Sequence, residues 1–143
     1  MKIVIGADHG GWKLKEELVW YLEKTSHTVI DVGTDSAVSV DYPDICKLAC
    51  DTYSNGDIDY IVLICGTGIG MSLCANKYVD TIRCAVCNDE TSARMSRMHN
   101  NANAIALGAR IIDYETAIKN IDIFFNTEFE GGRHIRRLNK FSS

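Results

Sequence analysis

The sequence predicts an α/β fold, in which a five-stranded, mainly parallel sheet is covered by helices on both faces. Short apolar segments alternate along the chain with longer segments whose apolar residues recur every three or four positions. Several short segments are continuously apolar, which is typical of strands buried on both faces of a parallel sheet. The length of 143 residues, with 46% hydrophobic and 24% charged residues, fits one globular domain over residues 1–143.

The strands are predicted from runs of apolar and β-branched residues. KIVIGA is the first of them, and DYIVLIC, the third, stays apolar up to Cys65. The five predicted strands cover residues 2–7, 27–33, 59–65, 81–88 and 102–109.

The helices are predicted from periodicity and from signals at their ends. The first carries apolar residues at positions 14, 18, 19 and 22, with charged residues between them. Pro43 stands near the first turn of the second helix, and acidic residues open the fourth. The predicted helices cover residues 11–25, 42–56, 68–78, 89–101 and 113–126, and a C-terminal helical extension runs from about 132 to the end.

Composition argues against several classes of protein. The net charge of −4 is unfavourable for non-specific nucleic-acid binding, because phosphate contacts need Lys and Arg. No run of residues approaches the roughly 18 apolar positions of a membrane span. The N-terminal apolar run is interrupted by Asp8 and His9 and is too short for a signal peptide. The six cysteines lie mostly inside apolar segments, so we expect buried, reduced thiols in a cytoplasmic protein.

Candidate site residues follow from the predicted topology, because ligands bind beyond the carboxyl ends of the strands in such sheets. The glycine-rich loop GTGIG, residues 66–70, follows the third strand and opens a helix. Its backbone N–H groups are suited to hold an anion at the positive end of that helix. The loop lacks the G-x-G-x-x-G spacing of a dinucleotide fold, and no G-K-[ST] follows as in a P-loop. A purely structural tight turn is the alternative.

Cys65 stands at the tip of the third strand and is predicted to face this loop. A helix N-terminus favours the thiolate form of a cysteine. A thiolate beside backbone donors can take a proton while those donors stabilise the oxyanion that results. Cys84 and Cys87 have the spacing of a redox or zinc pair, but positions i and i+3 of a strand point to opposite faces. Four thiols in apolar segments are interpreted as small, buried hydrophobic residues: Cys46, Cys50, Cys74 and Cys84.

Two histidines are candidates for roles at a site. His9 follows Asp8 at a predicted strand end, and the glycines after it permit close approach of a ligand. The alternative for His9 is a surface loop residue. His99 closes the helix ARMSRMH, where a histidine that only interacts with the helix dipole is the default interpretation.

Two arginines of the C-terminal segment GGRHIRRLNK form a candidate phosphate site. Arg133 and Arg137 are four positions apart and therefore lie on one face of the predicted helix. Guanidinium groups on one face are suited to a phosphate. The alternative is a solvated basic face.

The motifs taken together resemble one family of enzymes. IGADHGG, DYPD, CGTGIGMSLCANK, SARMSRMHNNANAIALGAR and FEGGRHIRR occur in this order across essentially the whole chain. This order closely resembles the type B ribose-5-phosphate isomerases, within the family that includes galactose-6-phosphate isomerase subunits and allose-6-phosphate isomerases. The resemblance implies a three-layer Rossmann-like sandwich and a homodimer with active sites at the subunit interface, with pairing of dimers left open. It also implies a phosphosugar substrate, no metal and no cofactor.

The resemblance further implies an activity and the residues that carry it. The reaction would interconvert ribose 5-phosphate and ribulose 5-phosphate through an enediolate, in the non-oxidative pentose phosphate pathway. Cys65 would move a proton between C1 and C2, and His99 would help to open the furanose ring, with Thr67 assisting. The preference for a five- or six-carbon sugar stays open.

The resemblance also implies contacts with the substrate. Asp8 and His9 would contact the sugar end or the phosphate region, and Asn100 the substrate. The phosphate would be held by Arg110, Arg133 and Arg137. The enediolate oxygen would be bound by the loop residues Gly66, Thr67, Gly68, Ile69 and Gly70.

Two other classes of protein compete with this interpretation. A non-catalytic phosphate- or nucleotide-sensing module explains the glycine loop and the arginines, but it gives Cys65 and His99 no task. A thiol-redox protein explains Cys65 and gives the arginines no task.

Overall fold

The computed structural model describes residues 1–141, and over this range strands and helices alternate as the sequence predicts. The strands are β1 (Lys2–Ala7), β2 (Thr28–Asp31), β3 (Tyr60–Cys65), β4 (Cys84–Val86) and β5 (Ala104–Gly108). The helices are α1 (Trp12–Lys24), α2 (Tyr42–Asn55), α3 (Ile69–Tyr78), α4 (Glu90–Asn100), α5 (Tyr114–Asn126) and α6 (Arg133–Leu138).

The strands form one sheet in the order β2-β1-β3-β5-β4, and each neighbouring pair is parallel. The predicted α/β class, with a five-stranded parallel sheet and a C-terminal helix, is confirmed. Within residues 1–141, no helix is both long enough and apolar enough to cross a membrane.

Strand β4 is shorter than the predicted 81–88 because side chains bind the backbone just before it. The Arg83 N–H donates to Asn103 Oδ1 at 2.7 Å, and the Cys84 N–H donates to Asn76 Oδ1 at 2.8 Å. Asn103 thus takes the place of a strand partner at residue 83, and β4 begins at Cys84, which pairs with Ala104.

Two further differences from the predicted boundaries have a clear structural cause. Strand β2 ends at Asp31, whose Oδ1 accepts the Gly33 N–H at 2.8 Å and turns the chain there. Helix α6 ends at Leu138, after which the chain continues in tighter turns, with the Phe141 N–H donating to the Leu138 carbonyl. The predicted extension to the end of the chain includes residues 142 and 143, which lie outside the described residues.

A hydrophobic core lies on each face of the sheet. One core packs α1, α4 and α5 against the sheet, and the other packs α2 and α3 against it. Cys84 belongs to the second core and Cys87 to the first. The prediction that these two thiols point to opposite faces is therefore confirmed.

The parallel strands divide the connections between two edges of the sheet. The loops after β1, β3 and β5 leave at the carboxyl edge, where the Ala109 N–H donates to the Cys65 carbonyl. Helix α4 then returns to the amino edge, because its last residues lead into Asn103, which is bonded to Arg83 just before β4. Residues near the end of α4 are therefore about 17 Å from the carboxyl edge, for five strand steps of about 3.3 Å.

Lys15 is a charged residue of α1 that lies in the interior. It is only 1% exposed, and its Nζ lies 2.5 Å from Asp31 Oδ2. The periodicity predicts a solvated lysine here, whereas the Asp31 carboxylate at the end of β2 draws the ammonium inward. Burying a charge is tolerated when it is paired in this way.

We expect Asp31→Asn to lower the free energy of unfolding by about 1–3 kcal/mol, because it leaves the Lys15 ammonium buried without its counter-charge. Denaturant unfolding would measure the change, with Asp35→Asn as a control at an exposed position of the following loop. Lys15→Met, which removes the charge itself, should cost less. Equal stability of Asp31→Asn and Asp35→Asn would contradict the prediction.

Candidate active site

Cys65 is the last residue of β3 and is 5% exposed. Its Sγ accepts a hydrogen bond from the Gly68 N–H at 3.2 Å. Gly68 has a φ of 82° and precedes α3, so the chain can fold back over the sulfur only through a left-handed residue. A side chain there would also meet backbone carbon of Leu107 at 3.1 Å. The loop therefore places a backbone donor directly on the thiol.

Thr67 and Asn88 fix the shape of the loop. Thr67 Oγ1 accepts the Ile69 N–H at 3.2 Å, and the Thr67 carbonyl accepts Asn88 Nδ2 at 3.2 Å. Asn88 Oδ1 accepts the Gly108 N–H at 2.8 Å, so one amide side chain joins the loop to the end of β5. The next N–H in the first turn of α3, that of Gly70, has no intrahelical acceptor by geometry and is available to a bound anion.

Tyr42 is a residue of this region that the sequence reasoning did not assign to the site. Its ring packs over Gly70 so closely that a Cβ there would lie 2.8 Å from the tyrosine Cζ. Tyr42 is 39% exposed, which leaves part of its ring open to solvent beside the loop. Tyr42 belongs to the DYPD motif, and this motif was the feature of the sequence that could have indicated its place beside the loop.

The loop after β1 brings Asp8 and His9 to the same edge. Asp8 is buried, and its Oδ1 accepts the Gly10 N–H at 2.9 Å. His9 Nδ1 lies 3.2 Å from the Val40 N–H, which can only donate, so Nδ1 is the acceptor. A neutral His9 then carries its proton on Nε2 and presents a donor.

Arg110 supplies a cation at the loop. The backbone N–H of Arg110 donates to the Gly66 carbonyl at 3.0 Å. Its guanidinium group also lies close to Gly66, because a Cβ at Gly66 would lie 3.4 Å from the arginine Nη1. Gly10 also approaches Gly66, with its Cβ position 3.6 Å from the Gly66 nitrogen. These candidates form one group, the carboxyl-edge cluster: Asp8, His9, Cys65, Gly66, Thr67, Gly68, Ile69, Gly70 and Arg110.

The other candidates lie at the amino edge and form the amino-edge cluster: His99, Asn100, Arg133 and Arg137. The Glu130 N–H donates to the Met98 carbonyl at 3.0 Å, which ties the segment before α6 to the end of α4. Arg133 and Arg137 are exposed on α6. Within one chain the structure does not bring this cluster to Cys65, because the sheet separates the two edges.

His99 also contacts two residues that the sequence reasoning left out. Its ring stacks on that of His134, with centroids 4.5 Å apart and planes inclined by 20°. Glu130 Oε2 lies 3.9 Å from His99 Nε2, and Glu130 Oε1 lies 3.8 Å from His134 Nε2. Burial, with the nearby His99 ring, lowers the pKa of His134. The FEGGRH motif contained both residues, but their contact with His99 depends on the packing of α6 on α4.

The same three side chains are a candidate metal centre by composition. Their ligand atoms lie within 4.8 Å of one another. A metal must lie in the plane of each imidazole that binds it, and two rings stacked at 20° do not direct their in-plane lone pairs to one point. This arrangement is therefore suited to hydrogen bonding and stacking rather than to metal coordination.

A cavity of about 540 Å³ lies beside β4. Asn100 lines it together with residues before and within β4, such as Arg83 and Cys84, whereas the carboxyl-edge cluster lies elsewhere. The volume of this cavity is thus a poor guide to the position of the reactive side chains, and the two side-chain clusters locate them better.

Five of the six thiols differ from Cys65 in environment. Burial raises the pKa of Cys87 to about 11 and raises that of Cys84 further. The neighbouring Cys50 thiol, burial and the Cys74 thiol raise the pKa of Cys46. All six cysteines are free, and all but Cys74 are buried. The interpretation of Cys46, Cys50 and Cys84 as buried thiols is confirmed, whereas Cys74 is partly exposed.

Comparisons with known proteins identify the family of the chain. The model of the family described as ribose/galactose isomerase matches residues 3–141. Ribose-5-phosphate isomerase B of Escherichia coli is 41% identical over 137 residues, covering 96% of this chain and 91% of that protein.

Solved structures extend the similarity to the whole fold. The structure of ribose-5-phosphate isomerase B from Clostridium thermocellum superposes with a TM-score of 0.95 at 47% identity, covering 99% of this chain and 95% of that one. That of the Mycoplasma genitalium enzyme, with bound ribulose-5-phosphate, has a TM-score of 0.91 at 38% identity, covering 98% and 93%. The chain therefore belongs to the ribose/galactose isomerase family.

Proposed function

We propose that this chain interconverts ribose 5-phosphate and ribulose 5-phosphate, a step of the non-oxidative pentose phosphate pathway. The observation that carries the proposal is the placement of Cys65 Sγ within hydrogen-bond distance of the Gly68 N–H, beside the first turn of α3. A base that removes a carbon-bound proton needs hydrogen-bond donors beside it to stabilise the oxyanion. Here the Cys65 thiol lies beside the N–H groups of the loop 66–70. The family, and the relative whose structure holds ribulose-5-phosphate, supply the substrate class.

The geometry supports the following course for the isomerisation. Cys65, as a thiolate, takes the proton from C2 of the open aldose, and the electron pair left behind forms a C1–C2 double bond. The oxygen on C1 becomes the enediolate oxygen, which the N–H groups of the loop 66–70 stabilise. The thiol then returns its proton to C1, while the proton on O2 passes to O1 and a carbonyl forms at C2. The product is the ketose.

The other groups of the carboxyl-edge cluster orient the sugar in this proposal. Arg110 and the Nε2–H of His9 are donors suited to phosphate or hydroxyl oxygens. Asp8 has one carboxylate oxygen held by the Gly10 N–H, and the other is left to accept from a sugar hydroxyl. Thr67 and Tyr42 border the same loop.

Arg133, Arg137 and His99 enter the site from a second copy of the chain in this proposal. Each chain carries the carboxyl-edge cluster and the amino-edge cluster on opposite edges of its sheet. In a two-fold dimer, the carboxyl-edge cluster of each chain can meet the amino-edge cluster of the other, which makes two equivalent sites. Exposed apolar side chains border both clusters: Ile69 and Leu73 beside the first, Ile135 and Phe141 beside the second. Apolar surface of this kind is typical of an interface between subunits.

His99 then acts at the step before isomerisation. The furanose form must open before C2 can lose its proton, and an imidazole titrates near neutral pH, which suits proton transfer between oxygens. The six free thiols fit a reducing compartment such as the cytoplasm.

Cys65→Ala should lower kcat for ribose 5-phosphate by about 10²- to 10⁴-fold, the usual range for a positioned base. A coupled assay of ribulose 5-phosphate formation measures the loss, and thermal unfolding checks the fold. Cys84→Ala, in the same core, is the matched control and should retain activity. If Cys65→Ala keeps activity within a few-fold of wild type, another group is the base.

Arg137→Ala should weaken the binding of ribose 5-phosphate by about 10- to 100-fold, because it removes a charge-assisted bond to phosphate worth about 1.5–3 kcal/mol. Free ribose, already a poor ligand, should be little affected. The control is Arg136→Ala, which removes the same charge from the neighbouring position of α6. Equal losses in the two variants would mean that the overall charge of the helix matters and that there is no specific clamp.

A mixed dimer tests whether the site is shared between chains. In a heterodimer of Cys65→Ala and His99→Asn, one site carries both changes and the other carries neither. We expect about half of the wild-type activity per dimer, although each homodimeric variant is impaired. Activity no higher than that of the better variant would mean that each site is built within one chain.

A further inference from the structure

Glu130 and His134 surround His99 but have no part in the reaction as described above. Glu130 lies in the segment between α5 and α6, and His134 lies on α6. Glu130 Oε2 lies 3.9 Å from His99 Nε2, and the imidazole of His134 stacks on the His99 ring with centroids 4.5 Å apart. The three side chains form a unit, the Glu130–His134–His99 group.

The Glu130 carboxylate is held in place by its own backbone. Its N–H donates to the Met98 carbonyl, next to His99 in the chain. Gly131 and Gly132 follow with φ values of 71° and 57°, so the chain turns sharply into α6 immediately after the carboxylate. The carboxylate consequently faces both rings at once, with one oxygen toward each Nε2.

His134 is the buried member of the group. It is 4% exposed, and among residues 1–141 its Nε2 has no hydrogen-bond partner. Burial, the nearby His99 ring, and Arg133 and Arg137 on the same helix all favour the neutral form of His134, against the opposing pull of Glu130. A neutral ring can stack on a charged one without repulsion.

His99 is the accessible member, with a side chain 37% exposed. His99 is therefore the member of the group that a substrate can reach. The stack on His134 limits rotation of the His99 ring, and the Glu130 carboxylate lies beside the Nε2 of that ring.

We propose that Glu130 and His134 are positioning residues, which hold the His99 imidazole in the orientation that opening of the sugar ring requires. The inference rests on the proposed function and deepens it. In the step, the proton of the His99 imidazolium passes to the ring oxygen as the bond between C1 and that oxygen breaks. The neutral imidazole then takes the proton of the C1 hydroxyl, and the C1 carbonyl forms.

The test compares two reactions of one variant. Glu130→Gln should lower turnover of ribose 5-phosphate, which must open its ring, by about 10- to 100-fold, the size expected for a misoriented catalytic group. Solvent exchange of the C1 proton of ribulose 5-phosphate, which cannot close to a furanose, should stay within about threefold of wild type. The matched control is Glu128→Gln, which removes the same charge from an exposed position two residues earlier and should leave both rates unchanged. A purely structural role of Glu130 would lower both rates together and would overturn the inference.

A double-mutant cycle separates this inference from the proposed function. If Glu130 acts through His99, then Glu130→Gln should have almost no further effect in a His99→Asn background. Additive losses in the double variant would overturn the positioning role. If His99→Asn itself turned over ribose 5-phosphate normally, the role of His99 in the proposed function would be wrong. A defective His99→Asn beside a fully active Glu130→Gln would overturn only the present inference.

A pair of substitutions at His134 tests the stack. His134→Phe keeps an aromatic ring that cannot carry a charge, so it should retain more ring-opening turnover than His134→Ala. Thermal unfolding of both variants shows whether each is folded, and the exchange reaction of ribulose 5-phosphate shows whether Cys65 still works. If the two folded variants lost ring opening equally, the stacked ring would not position His99.

Discussion

The direction of the strands is the constraint on which the rest of the molecule depends. In a parallel sheet each strand ends at the same edge, and each helix must return to the opposite edge before the next strand begins. The loop after β3 therefore lies at the carboxyl edge with Cys65, and the end of α4 lies at the amino edge with His99. A single chain of this topology cannot bring these residues together. An association of two chains that puts unlike edges in contact meets that constraint.

The fold was largely predictable because its signals are local. The apolar stripe of α1 and the continuous run of β3 each fix an element without knowledge of its neighbours. The predictions fail where a side chain from another element determines the end of a strand or the burial of a residue. Asn76 and Asn103 bind the backbone where β4 begins, and Asp31 draws Lys15 into the interior. No periodicity encodes such contacts, since they join residues 8, 16 and 20 positions apart in different elements of the fold.

The site was predictable to a different degree at each edge. Strand ends of a parallel sheet are expected to bind ligands, so the carboxyl-edge residues could be named from sequence and they lie together in the fold. Arg133 and Arg137 were candidates from their spacing, but the catalytic role of His99 rested on family resemblance, because nothing in the periodicity relates the end of α4 to α6. The contact of Tyr42 with Gly70 and that of His134 with His99 arise only when helices pack.

Environment rather than residue type distinguishes Cys65 from the other thiols. Cys84 lies in the same core, where burial without a helix end makes its thiolate unfavourable. Cys65 is also nearly buried, but it ends its strand one residue before a loop whose Gly68 N–H is directed at the sulfur. The amino edge repeats this logic with opposite charge, since buried His134 stays neutral while exposed His99 lies beside a carboxylate. At each edge the surroundings therefore single out one group among chemically similar neighbours: Cys65 by the backbone donor on its sulfur, and His99 by its exposure beside the Glu130 carboxylate.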